Sequence, residues 1–207
     1  MPNSQTTSLW RLRGGALALM VLLVPFLTGC WVQSVYPFYE DSDVVTDGTF
    51  VGNWLGDGEL KGCLLAVSLD ATTRTYALAV SKSTTTDVNA QCEAVTFEGK
   101  LVQLGQERYL DVVSDPEKSW PATLDTLLKV DADKQRLAFT PLDPDWVAGA
   151  MSDKTVKLQG RIQEFGLLPR FVAVTLISPT GDLREFLRQA DAKAAFSESG
   201  KMRFLRN

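Results

Sequence analysis

The chain has no histidine among its 207 residues. That absence removes Ser-His-Asp and Cys-His catalysis and the usual zinc sites, all of which depend on imidazole. Basic clusters are missing too. The 21 Lys and Arg against 25 Asp and Glu leave a net charge of −4. With no basic patch to neutralise phosphates, nucleic acid is not an expected partner. The apolar run Ala16–Leu27 is broken by Pro25 and falls well short of the roughly 20 residues that cross a bilayer. Cysteine is scarce, three in all. Neither an internal repeat nor a low-complexity tract is visible.

What is present begins at the N-terminus. Arg11 and Arg13 precede the apolar run, no acidic residue occurs before Cys30, and small residues close the segment. A charged head, a short apolar stretch and a small-residue end describe a secretory signal. Its last four residues, Leu27-Thr28-Gly29-Cys30, resemble the lipobox of bacterial lipoproteins. The resemblance implies cleavage between Gly29 and Cys30 and acylation (diacylglyceryl and palmitate chains) at the Cys30 thiol. Residues 1–29 are then a removed signal peptide. Two acyl chains suffice for stable anchoring, at about 0.8 kcal/mol per buried methylene. By resemblance to sorted lipoproteins, an aspartate after the cysteine would retain the protein at the inner membrane. Trp31 stands there instead, so the expected place is the outer membrane, facing the periplasm. Losing Arg11 and Arg13 takes the net charge from −4 to −6.

Residues 30–47, rich in aromatics around Pro37, are expected to form a lipid-anchored tether, part of it packed on the body. Aromatics so close to an anchor can also rest at a bilayer interface. Residues 48–207 read as one mostly β domain. In CLLAVSLDA, TRTYALAVSK and EAVTFEGKL, apolar residues alternate with polar ones, the pattern of antiparallel strands with one wet face. RYLDVV, TLDTLLKV, RLAFTPL, VKLQGRI, FVAVTLI and MRFLRN add further strands, and FVGNWLGDGEL carries the first. Two helices interrupt them. Asp143-Pro144-Asp145 opens a short one. The second runs through SPTGDLREFLRQADA, with Leu183, Phe186, Leu187 and Ala190 on one face and Ser178 or Thr180 as its cap. The expected fold is therefore mainly β (α+β): an antiparallel curved sheet or barrel of about eight or nine strands with two helices packed on it, since so many strands curl or close to remove their edges.

Gly52-x-Trp54 on the first strand resembles the G-x-W of lipocalins and other calycins. There the tryptophan closes the barrel beneath a basic residue near the chain's end, a part that Arg203 or Arg206 can play. The order SVYPFYEDSDVV, FVGNW, RYLDVV, LLKVDADKQRLAFTPLDPDWV and the SPTGDLREFLRQ helix resembles a group of uncharacterised bacterial envelope lipoproteins. That likeness implies export and lipidation but assigns no activity.

Cys63 and Cys92 enter an oxidising compartment on export, where a disulfide persists. It would stabilise by about 3.5 kcal/mol in the chain-entropy estimate. Flat meander geometry puts the two cysteines two strands, about 10 Å, apart, too far to bridge unless one lies in a loop that bends over. Carboxylates offer little chemistry. Asp143 and Asp145 suit helix capping better than acid–base work. Asp111 either points into a pocket or sits on the wet face of its strand. Asp131 and Asp133 belong to a turn. Asp57 and Glu59 are too sparse for calcium. No catalytic residue, metal site or cofactor is read.

Two functions remain. The first is a non-enzymatic binding module holding an apolar or amphipathic small molecule in a lipocalin-like interior. The second is an envelope protein-interaction or inhibitor module whose acidity recognises a basic periplasmic partner. An enzyme working by carboxylates alone ranks third.

Overall fold

The computed structural model describes residues 31–83, 92–114, 124–166, 171–189, 194–196 and 198–207. Cys30, Gly29 and Ala190 lie outside the described residues.

Eleven strands form among the described residues: β1 Val32–Ser34, β2 Gly52–Gly56, β3 Cys63–Asp70, β4 Thr75–Lys82, β5 Val95–Leu104, β6 Glu107–Ser114, β7 Asp125–Ala132, β8 Arg136–Pro141, β9 Gly160–Phe165, β10 Phe171–Leu176 and β11 Met202–Arg206. Eight of them close into an antiparallel barrel in the order β6-β5-β4-β3-β2-β11-β8-β7, with β6 pairing back onto β7. Closure leaves the barrel strands no bare edge. The C-terminal strand β11 is the piece inserted between β2 and β8. Gly99 helps the wall curl: a Cβ there would stand 2.8 Å from the carbonyl of Asp111 on the next strand.

The other three strands lie outside the barrel. β8 pairs with β7 only from Leu128 onward and ends at Pro141. β1 takes the vacated edge at Asp125 and Thr126, then pairs in parallel with β10, which pairs with β9. The strand count thus exceeds the eight or nine expected, because the outer sheet adds to a barrel that already holds eight.

Two helices accompany this sheet. Helix α1, Pro144–Ser152, starts as its sequence implies: Asp143 accepts hydrogen bonds from the N–H groups of Asp145 (2.9 Å) and Trp146 (3.1 Å). Helix α2, Thr180–Arg188, is shorter than the sequence pattern suggests, and neither expected cap forms. The Ser178 hydroxyl meets Gln159 and the Thr180 hydroxyl donates to the Pro37 carbonyl, so both are spent on tertiary contacts.

Two cores result. The inner core fills the barrel with Phe50, Trp54, Leu65, Tyr76, Leu101, Leu110 and Leu137. The outer core lies between the outer wall of β5–β6–β7, the two helices and the three-stranded sheet. It contains Val32, Phe38, Val102, Tyr109, Leu127, Val147, Val174, Leu183 and Phe186.

Of residues 30–47, expected as a tether partly packed on the body, the described part lies against the barrel. From Val32 the chain is held: Val32, Ser34, Phe38 and Val44 are buried. Val44 bridges to Val102, and the Val45 N–H donates to the Leu101 carbonyl at 2.9 Å. The segment is a strap along the barrel's outside, apolar because it covers the outer core.

Candidate functional site

The barrel interior is the first place the sequence points to, and it is packed with the chain's own side chains. Trp54 and Tyr76 are fully buried, with Phe50, Leu65, Leu101, Leu110 and Leu137 beside them. Phe50 and Tyr76 pack with their rings tilted at 49° and 5.7 Å between centroids. A ligand pocket for a drug-sized molecule needs about 300 Å³ or more. Among the described residues, two concavities lie on the outside. One of ≈ 470 Å³ is shallow and open to solvent, lined by Ser68, Leu69, Asp70, Thr73, Thr75, Ala77 and Glu98. A second, of ≈ 10 Å³, lies beside α2.

One end of the barrel is closed by the 3-10 turn Gly48–Phe50. Phe50 drops into the inner core, and its carbonyl accepts the Trp54 indole N–H at 2.9 Å. The Arg206 guanidinium lies over the Trp54 ring, 4.6 Å from its centroid, and donates to the Thr49 carbonyl at 3.3 Å. Gly52 makes room for it: its φ is +135°, and a Cβ would meet the guanidinium at 2.9 Å. Gly52, Trp54 and Arg206 therefore come together. Arg203 does not join them; it pairs with Glu198 at 3.0 Å. Beside them Arg108 holds Asp47 at 2.6 Å and sits over the Phe50 ring, while the Asp47 N–H donates to the Tyr76 hydroxyl at 2.7 Å. Asp47 bears some desolvation, but hydrogen bonds from Thr49 and the Arg108 charge outweigh it and hold the carboxyl below its usual range. This end is a plug, with its polar groups spent on one another.

A second polar cluster lies where the barrel meets the outer sheet. Asp111 points outward from β6, yet is 1% exposed, because Phe38 and the strap cover it. This departs from both sequence readings: it enters no ligand pocket and faces no water. Its Oδ2 accepts the Phe38 N–H at 3.0 Å; Oδ1 meets no donor among the described residues. Lys100, directly across on β5, sends its ammonium to the Thr73 carbonyl instead. Burial, then the nearby charge of Asp125, raises the Asp111 pKa well above the carboxylate range, against the lowering effect of the Phe38 N–H. Burial lifts Asp125 to about 6. The Tyr39 phenol is pushed up to about 12 by burial and by Asp111, Asp125 and Asp41. Chemically this is a buried carboxyl whose neutral form is favoured by its burial, under a cover of packed chain that includes Phe38.

The strap is fixed a second time by Arg184 of α2. Its Nη2 donates to Asp43 Oδ1 at 2.8 Å and its Nη1 lies 2.6 Å from Glu40. Its Nε stands 2.7 Å from Asp43 Oδ2 but off-line for a hydrogen bond. Cys63 and Cys92 are joined in a disulfide with 5.7 Å between Cα atoms. Cys92 precedes β5 rather than lying within it, so the chain bends over and escapes the flat-meander spacing. Asp143 and Asp145 serve α1, and Asp133 accepts the Gln135 and Arg136 N–H groups in its turn. Asp57 accepts its neighbour Gly58 N–H. Among the described residues, no three His, Cys, Asp or Glu side chains are placed to hold a metal ion.

No sequence feature marked Asp125, Tyr39 or Arg184 as members of polar clusters. The apolar doublets Leu101-Val102, Tyr109-Leu110 and Leu127-Leu128 were the available signal, since apolar residues of both parities mark a wall covered on both faces. Compared with protein-family models, with curated proteins and with solved structures, the chain matches none.

Proposed function

We propose that the protein is an envelope lipoprotein, held through acylated Cys30 at the outer membrane, whose body is a non-enzymatic interaction module recognising a basic periplasmic protein. The observation that carries this reading is the packed barrel. An interior occupied by Trp54, Tyr76 and Phe50 leaves recognition to the outside. The shallow concavity on the outer face of β3–β5 supplies a surface of suitable chemistry: small or polar side chains with two exposed carboxylates, Asp70 and Glu98. Hydrogen bonds from the Thr72 and Thr73 N–H groups lower the Asp70 pKa and keep it ionised. Lys100 reaches Thr73 at the rim and narrows the acidic area. The charge of −6 on the processed chain steers a cationic partner at low salt.

The apolar-ligand reading of a lipocalin-like barrel ranks second, since a ligand there must displace Tyr76 or Phe50. Affinity capture from envelope extract at low and high salt tests the first reading. A basic protein should be retained at low salt, released at high salt, and lost from an Asp70→Lys, Glu98→Lys double variant. A partner indifferent to both changes overturns it. A co-purifying apolar compound seen by native mass spectrometry would favour the second reading.

A further inference from the structure

We propose that the solvent-facing side of the β9–β10–β1 sheet lies flat on the bilayer; the inference rests on the anchoring of Cys30 argued above. Acylated Cys30 would be the residue just before Trp31, and consecutive Cα atoms stand about 3.8 Å apart. Trp31 is already fixed to the sheet, its carbonyl accepting the Val174 N–H at 3.3 Å. No slack chain remains between the lipid and the folded body. Whatever surface surrounds Trp31 is carried to the membrane with it.

That surface is built for the role. Val32, Ser34, Val174 and Leu176 turn inward to the outer core. The alternate positions face out, and Trp31 (38% exposed), Val35 (44%), Phe165 (46%) and Ile177 (52%) stand among them, with Tyr36 (47%) adjoining. They come from three separate parts of the chain and are five of the six large apolar side chains exposed among the described residues. The Val35 N–H bonds the Leu176 carbonyl, which sets Val35 beside Ile177. No carboxylate occupies the outward positions of β1, β10 or β9, although the chain is acidic; the one charged side chain there is Arg161. Tryptophan and tyrosine at the headgroup level and an arginine toward anionic heads are the side chains an interface takes.

The test uses the processed, lipid-bearing chain in vesicles of phosphatidylethanolamine and phosphatidylglycerol. A benzophenone amino acid replaces Phe165, Ile177 or, as a control, Thr72 in the exposed β3–β4 turn. Flotation with the vesicles reports anchoring, and an intact Cys63–Cys92 bridge reports folding. Irradiation should give several-fold more lipid adduct from positions 165 and 177 than from 72. Equal labelling by a floating protein overturns the sheet-face inference and leaves the anchor reading standing. Adducts to protein in place of lipid, whether a second copy or another chain, overturn it as well. Failure of the chain to float overturns both readings.

Discussion

The β2–β3–β4 wall of the barrel has water on its outer side, whereas the β5–β6–β7 wall carries a second core on its back. On the first wall the burial alternates along β3, with Cys63, Leu65 and Val67 inward and Ser68 exposed outward. On the second the alternation vanishes: Leu101 and Val102 are both buried, as are Tyr109 and Leu110, and Leu127 with Leu128. The barrel geometry is common to both. The difference lies in the strap, the two helices and the outer sheet, which cover one wall and leave the other. A polar residue tolerated on the first wall becomes a liability on the second, and Asp111 is that case. Burial disfavours the charged form of its carboxyl and raises its pKa.

The comparison is broken most severely from inside the barrel. Trp54→Ala removes a fully buried ring and its cover by Arg206, and should cost about 3–5 kcal/mol with loss of both cores together, read from urea unfolding followed by two probes. A loss confined to one region would show that the cores are independent. Next, Arg184→Ala frees Glu40 and Asp43, the latter 9% exposed, for about 2 kcal/mol. Hydrogen exchange should accelerate over the strap and α2 while the β2–β4 amides stay protected. Uniform acceleration would place the strap inside the barrel's cooperative unit.

The remaining effect is one of pH. Asp125 is raised in the folded state to about 6 from 3.8. Protonated in both states below about pH 4, it carries no penalty there. As pH rises to about 6 the unfolded chain ionises first, and stability falls. Asp125→Asn should flatten that decline and leave the variant the more stable form at neutral pH; an unchanged slope of urea midpoint against pH would locate the titration elsewhere.

The strands of the wet wall, the turn at Asp133 and the start of α1 were legible because each is governed by neighbours in sequence: period-two patterning, a turn carboxylate, an Asp-Pro-Asp cap. The plug was partly legible. Gly52 and Trp54 announced themselves, but choosing Arg206 over Arg203 required knowing that β11 lies between β2 and β8, with Arg206 opposite Trp54. The strap was legible only in outline, as a tether partly packed on the body, because Phe38 and Tyr39 serve a core made by residues distant in the chain while Trp31 and Tyr36 stay exposed. The Cys63–Cys92 pairing turned on whether Cys92 sat in a strand or ahead of it.

The sequence by itself determined that imidazole is absent and that the body is pleated and acidic. These are properties of composition and of short periods, which need no partner in space. Only the tertiary structure decided that the barrel is full, that Asp111 is sealed beneath Phe38, and that an apolar sheet face lies beside the first residue after Cys30. Each of those depends on strands distant in the chain being brought side by side, and a side chain's burial is fixed by what arrives on top of it.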